Sequence, residues 1–273
     1  MNTTVKRTLS GVVFLAVMIS GLLIGPIPYA VLFIFMSCGT MWEFYRITMG
    51  DSYLTPRWIA IVLGACAFLA VLGIVGYGLP QKLIAVPAVI LLLLMVSTLL
   101  EKDKEHFALN SFLYTGFLYI AVPMALSNFV VFRGWSGVLM LAFFCIIWAG
   151  DVGAYCFGML FGQKGGKKLF PSISPKKSWA GFWGGLLLAV IAAILLCLGG
   201  LFPFAWWHGI SLSIIMNVSG TFGDLYESQW KRTAGVKDSG NIIPGHGGLM
   251  DRFDSALFAI PAGFIYLALF GLI

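Results

Sequence analysis

The sequence predicts an all-α, polytopic integral membrane protein with about nine transmembrane helices and a cytoplasmic N-terminus. Three observations carry this expectation. Hydrophobic residues make up 60% of the 273-residue chain and charged residues only 10%, whereas a soluble domain carries about 25% charged residues. The apolar residues fall into nine runs, near 9–25, 28–48, 58–79, 82–100, 109–132, 135–161, 179–201, 205–227 and 249–272, each close to the roughly 20 residues that cross a bilayer as a helix. With the N-terminus inside, all 17 Lys and Arg residues except Lys82 and Arg133 fall on the inner side. Cytoplasmic loops collect basic residues in this way, and deleting one span would carry the later basic loops across the membrane.

The elements follow in order. Lys6 and Arg7 precede the first apolar run, which is the layout of a signal peptide. No small-residue cleavage site follows, and Gly25-Pro26-Ile27-Pro28 reads as a tight turn into a second span, so a retained first helix is expected. The turns at 25–28 and 79–82 are so short that a re-entrant hairpin would leave the same pattern. Glu43 and Arg46, at helical spacing near the inner end of the second run, are expected to pair structurally. The EKDKEH stretch at 101–106 reads as a solvated turn, and Trp135, Trp206 and Trp207 fit an outer interfacial belt. Cys38, Cys66, Cys145, Cys156 and Cys197 lie in apolar runs without CxxC spacing and read as small buried hydrophobes. Without an internal repeat or a separable soluble stretch, residues 1–273 read as a single membrane domain. Within it, 1–134 is the less informative part, and 135–273 carries two polar loops at 162–178 and 228–248.

The first of these loops, continued into the next helix, reads GQKGGKKLFPSISPKKSWAGFWGG. Its glycines permit close backbone approach, and five lysines offer charges to phosphate oxygens. The GxxxxGK[ST] pattern of a P-loop is absent, and composition alone describes equally well a basic loop lying on lipid headgroups. Ser178 is placed to cap a helix beginning near Trp179.

Acids inside apolar runs are the sharper signal, because an ionised carboxylate there is costly unless it is paired or liganded. Asp151 lies within the sixth run, Asp224 near the inner end of the eighth, and Asp251 and Asp254 at the start of the ninth. Three residues apart on one helix, Asp251 and Asp254 would share a face. Such hard oxygen donors suit Mg²⁺, which takes a few carboxylates together with water and substrate phosphates; ion pairing with Arg232 or Arg252 is the structural alternative. His246 stands among glycines with no second histidine or cysteine at zinc spacing.

The polar residues between 223 and 254 form an ordered pattern. Ser228-x-x-Lys231-Arg232-x4-Lys237-Asp238-x-Gly240 continues to Pro244-Gly245-His246-Gly247-Gly248-x-x-Asp251-Arg252-Phe253-Asp254. This resembles the signature of the phosphatidate cytidylyltransferases, the CDP-diacylglycerol synthases. Ser174-Pro175-Lys176-Lys177-Ser178, Gly181-x-x-Gly184-Gly185 and Gly223-Asp224 resemble the same family. Ala180 departs from it, since relatives often carry a polar or acidic residue there.

The resemblance implies transfer of a cytidylyl group from CTP to phosphatidic acid, giving CDP-diacylglycerol and pyrophosphate with Mg²⁺ and room for a second cation. It implies Asp224 and Asp251 as metal ligands, with Asp254 as a third ligand or an orienter, and places Lys237 and Asp238 among the catalytic residues. Lys167, Lys176, Lys177, Lys231 and Arg232 become phosphate contacts, and Ser174, Ser228, His246 and Arg252 substrate-binding residues. It further implies a multi-pass protein of the bacterial inner (plasma) membrane with its site on the cytoplasmic side, a homodimer among membrane lipids, and no nucleic-acid partner. Two other classes share parts of the pattern. A CTP-dependent polyprenol kinase would need a base to activate an alcohol, and a cation-coupled transporter of a phosphorylated anion would place its acids near the bilayer midplane.

Overall fold

The computed structural model describes residues 3–99, 104–132, 136–163, 166–243, 245 and 247–273. It is built almost wholly of helices, as apolar runs in a bilayer require, since only a helix or a closed barrel satisfies every backbone N–H and C=O there. Each run read from the sequence is occupied by helix: α1 Thr3–Leu23, α2 Pro26–Met49, α3 Leu54–Tyr77, α4 Ala85–Leu99, α5 Asn110–Gly116, α6 Val122–Val131, α7 Gly137–Phe161, α8 Trp179–Leu198, α9 Trp206–Thr233, α10 Met250–Phe253 and α11 Ala256–Leu269.

Among the described residues, seven helical stretches are long and apolar enough to cross a membrane, which makes this a multi-pass membrane protein. α9 is 28 residues long but does not qualify, because His208, Asn217 and several Ser and Gly residues dilute its first half and Asp224, Glu227, Lys231 and Arg232 follow in its second. α1 contributes a shorter apolar stretch, Thr8–Leu23.

Contacts divide the chain into two compact units. The first comprises Met1–Trp135 and Ala234–Phe253; the second comprises Ser136–Thr233 and Asp254–Ile273. In the first, α3 packs against α2, α4 and α6. Tyr29 centres an aromatic cluster, 4.5 Å from the Phe33 ring and 5.9 Å from Phe68. Its hydroxyl meets Ser127 Oγ at 2.6 Å, which satisfies a polar tip inside the apolar core. Where the sequence suggested one continuous helix over 109–132, α5 passes through a π-helical turn, Phe117–Ala121, into α6. The wider turn falls just before Pro123, which has no N–H to donate to the preceding turn.

In the second unit α7 and α8 lie backbone to backbone. A Cβ added to Gly153 would stand 2.4 Å from the Gly184 carbonyl oxygen, and one added to Gly184 would stand 2.3 Å from Phe157 Cβ. Small residues at helix crossings permit this approach in membranes. The glycines of the Gly181-x-x-Gly184-Gly185 pattern therefore serve the helix crossing.

The loop at 162–178 contains two short antiparallel strands, β1 Lys168–Phe170 and β2 Ser174–Ser178, with an irregular register between Lys168↔Ser178 and Phe170↔Ser174. β2 runs directly into α8, and Ser178 Oγ caps that helix by accepting the Gly181 N–H at 3.2 Å. Lys168 Nζ donates to the Gly162 carbonyl at 2.9 Å, closing the C-terminal end of α7.

The last run is interrupted. α10 ends at Phe253, Asp254 and Ser255 form a turn, and α11 begins at Ala256. Asp254 Oδ1 accepts the Ser255 N–H at 2.6 Å, a local side-chain bond of the kind that competes with helix. The expectation that Asp251 and Asp254 share a face of one continuous helix is corrected accordingly.

Candidate active site

In the second unit, α9 turns polar towards its C-terminal end, where Asp224, Glu227, Ser228, Lys231 and Arg232 follow one another at helical spacing. Ahead of them Gly223 meets the start of the last run: a Cβ there would stand 2.5 Å from the Asp254 carbonyl oxygen and 3.1 Å from Phe258 Cβ. Only a residue without a side chain brings the α9 backbone this close to Asp254. Asp254 is partly buried and lies within electrostatic range of Asp224, Glu227 and Asp151.

Two lysines offset this cluster of acids. Lys177 Nζ, from β2, pairs with Asp224 Oδ2 at 2.6 Å, with 23% and 32% of the two side chains exposed. Lys231 Nζ lies 3.0 Å from Glu227 Oε1, one turn away on α9, and Glu227 is fully buried. Ser228 Oγ donates weakly to Asp224 Oδ1 at 3.4 Å. Acids gathered in an apolar setting are costly unless paired or liganded, an arrangement that suits a cation.

Among the described residues, no three His, Cys, Asp or Glu side chains stand close enough to hold a metal ion by themselves. Mg²⁺ is ordinarily bound through one or two carboxylates completed by water and substrate phosphates, so the donors present fit a site that the substrate completes. An open apolar groove of about 470 Å³ runs along the α9 face that carries Phe222, Leu225, Tyr226 and Gln229, and is completed by Phe170, Ile173 and Phe258.

In the first unit, Asp251 is fixed by the loop that precedes it. Its Oδ2 accepts from Ser239 N–H at 2.9 Å, Ser239 Oγ at 2.9 Å and Gly248 N–H at 2.8 Å. The loop folds back on itself where Ile243 N–H bonds the Gly247 carbonyl at 3.0 Å. Gly247 has φ +84°, and a Cβ on it would stand 2.7 Å from Asp251 Oδ2, so conformation and space both require glycine.

The sequence expected Glu43 and Arg46 to pair with each other; each instead reaches this loop. Arg46 Nη2 donates to the Ser239 carbonyl at 2.9 Å, while Glu43 Oε2 accepts Met250 N–H at 2.9 Å and lies 3.0 Å from Ser239 Oγ.

Of the residues singled out from the sequence, Lys177, Asp224, Ser228 and Asp254 are gathered in one cluster, joined by Lys231 through Glu227. Asp251 belongs to the network of the first unit, with Lys237, Asp238 and Arg252 exposed nearby in the chain. Lys167 and Lys176 are exposed, and Ser174 is half-buried in β2. His246 lies outside the described residues. Glu227, Ser239 and Glu43 were not anticipated as parts of either network. For Glu43 the available signal was an acid set within an apolar run.

These features define a polytopic membrane protein with clustered carboxylates and lysines set into its helices, a class suited to handling anions together with cations. The Cytidylyltransferase family model matches residues 5–270, and the chain belongs to that family. It is 34% identical over 275 residues to the phosphatidate cytidylyltransferase of Bacillus subtilis (strain 168), covering 97% of this chain and 98% of that protein. It is 38% identical over 169 residues to the phosphatidate cytidylyltransferase of Staphylococcus saprophyticus, covering 62% of this chain and 63% of the other, and matches that of Staphylococcus haemolyticus to the same extent.

Proposed function

We propose that this chain is a phosphatidate cytidylyltransferase that transfers a cytidylyl group from CTP to phosphatidic acid, with Mg²⁺, releasing pyrophosphate. The observation that supports this most directly is the 2.6 Å Lys177–Asp224 pair, which joins the two separate family-like stretches, Ser174–Ser178 and Gly223-Asp224. An acid for a cation and a lysine for a phosphate are thereby held side by side.

In this reading Asp224, Asp251 and Asp254 serve as Mg²⁺ ligands whose coordination substrate phosphates and water would complete, with a second cation accommodated. Bound there, the metal supplies charge neutralisation at the reacting phosphates and alignment of the attacking and leaving oxygens. Lys177 exchanges Asp224 for a substrate phosphate, and Lys231, Arg232, Lys237, Lys167 and Lys176 neutralise pyrophosphate charge. Ser174, Ser228, His246 and Arg252 position substrate, and Asp238 stands with Lys237 in the catalytic loop. The lipid phosphate is already anionic near neutral pH, with a second pKa of about 6, so no residue is needed to deprotonate it. The nine-span count, the cytoplasmic N-terminus, the inner-membrane location with a cytoplasmic site, and the homodimer belong to this proposal. The distribution of Lys and Arg supports the orientation.

The test is pyrophosphate release by purified protein supplied with phosphatidic acid and CTP, with Mg²⁺ or EDTA, for wild type and Asp251→Asn. An Asn carbonyl can still accept from Ser239 and Gly248, so this change removes charge while leaving the loop its acceptor. The proposal expects Mg²⁺-dependent release with a CDP-lipid product in the wild type and loss of both in the variant. A phosphorylated prenol as product, or no release from folded, lipid-supplied protein, overturns it.

A further inference from the structure

Glu43 sits on α2 within Met41-Trp42-Glu43-Phe44-Tyr45-Arg46 and is 1% exposed, 196 residues from Ser239 in the chain. Such a group is expensive to place in an apolar helix, and a structural packing role would be served as well by leucine or methionine. What the carboxylate adds is its acceptors. Oε2 takes the Met250 N–H, at the start of the helix that carries Asp251, and lies against Ser239 Oγ. The same Ser239 hydroxyl lies 2.9 Å from Asp251 Oδ2. The hydroxyl has one proton, so it donates to one carboxylate at a time while lying against the other, and the placement of Asp251 depends on where Glu43 stands.

The surrounding glycines are cut to fit this acid. A Cβ on Gly240 would stand 2.2 Å from Glu43 Oε1, and a Cβ on Gly248 would stand 2.3 Å from Glu43 Oε2 and 2.2 Å from Ser239 Oγ. Two glycines of the 228–254 pattern are therefore explained by a side chain from the second helix. Arg46, one turn further on, holds the Ser239 carbonyl from the same helix.

Resting on the reading of Asp251 as a metal-binding acid, we propose that Glu43 is a positioning residue for the nucleotidyl transfer. From α2 it grips both ends of the 239–250 segment, Ser239 Oγ and Met250 N–H, and so fixes the direction in which Asp251 meets the cation.

The experiment uses the full chain in detergent or nanodiscs, with Glu43→Met, Glu43→Gln and Ser239→Ala beside wild type. Amide hydrogen exchange is read without substrate; kcat, KM for phosphatidic acid and the half-saturating Mg²⁺ concentration are read with it. In Glu43→Met, the amides of Ser239, Gly248 and Met250 lose protection while those of α3 and α7 keep theirs. The Mg²⁺ requirement rises and kcat falls by about ten- to hundredfold, the usual effect of removing a partner that orients a metal ligand, and KM for phosphatidic acid stays put. Glu43→Gln, whose carbonyl still accepts the Met250 N–H, recovers most of both.

Unchanged exchange and an unchanged Mg²⁺ requirement in Glu43→Met overturn the proposal. Should that variant fail to fold, wild-type exchange and Mg²⁺ dependence in Ser239→Ala overturn it instead. A wild type that makes no CDP-lipid overturns the reaction itself, and is distinguished by the exchange readout, which does not depend on turnover.

Discussion

The crossing of α7 and α8 gives the most quantitative prediction. In Gly153→Ala the new methyl carbon would sit 2.4 Å from the Gly184 carbonyl oxygen and 3.0 Å from both Gly184 C and Gly185 Cα. The shortest of these is about 1 Å inside the 3.4 Å at which ordinary contact begins. All three are backbone atoms, so no change of rotamer relieves the overlap, and the helices must part by roughly that distance. A gap of about 0.5–1 Å forfeits roughly a quarter to a half of the dispersion energy along the seam, and overpacking of this kind costs about 1–3 kcal/mol. At about 2–4 °C per kcal/mol for a chain of this size, the thermal midpoint should fall by roughly 2–12 °C. The assay is thermal unfolding of purified protein in detergent, followed by circular dichroism, with Leu187→Ala on α8 as a control at a side chain that is 49% exposed. Parting α8 from α7 also displaces β2 and Lys177, so activity falls with the midpoint. A midpoint for Gly153→Ala that matches the control would refute the claim that backbone contact holds these helices together.

Two further outcomes follow from the acid cluster. Asp254→Asn keeps the size of the side chain and an acceptor for the Ser255 N–H; it is expected to abolish pyrophosphate release while leaving the midpoint measured in EDTA close to wild type, and retained release would count against Asp254 as a ligand. Lys177→Met strips Asp224 of its ion pair. The variant should lose activity and be less stable in EDTA, yet gain more stability from added Mg²⁺ than wild type does, since a cation then supplies the missing charge. Equal Mg²⁺ responses in the two proteins would count against a cation site at Asp224.

The helices were legible because a bilayer leaves the backbone few choices, and among the described residues seven helical stretches are long and apolar enough to cross one. What was not legible depends on partners distant in sequence or on local competition for hydrogen bonds. The 168–178 hairpin reads as a basic loop because its strands are short and rich in lysine and serine. The break at Asp254 comes from a side chain bonding its neighbour's N–H, which helical spacing does not reveal. Of the site, the acids and lysines announced themselves by chemistry, and the Lys177–Asp224 contact then joined two of them. Glu43 was visible as an acid but was assigned to Arg46, its neighbour on the helix. Its actual partners, Ser239 and Met250, lie 196 and 207 residues away. Gly184 makes room for the Phe157 side chain, Gly223 for the Asp254 carbonyl, and Gly240 and Gly248 for the Glu43 carboxylate, contacts that no spacing in the sequence reveals.

The two acids at the centre of the proposed reaction are held by different means, and the difference bears on their roles. Asp251 Oδ2 is held by N–H and O–H donors, which orient a carboxylate without cancelling its charge. An acid so fixed is oriented before a cation arrives. Asp224 is held by an ammonium, which cancels its charge and sits on a partly exposed side chain able to turn away. A phosphate arriving at Lys177 draws the ammonium off and restores the charge on Asp224 only when substrate is present. On the proposed reaction, Asp251 is therefore the standing ligand and Asp224 the one that substrate switches on. Cation binding at Asp224 should then be coupled to nucleotide or lipid binding, with each raising the affinity of the other by the same factor.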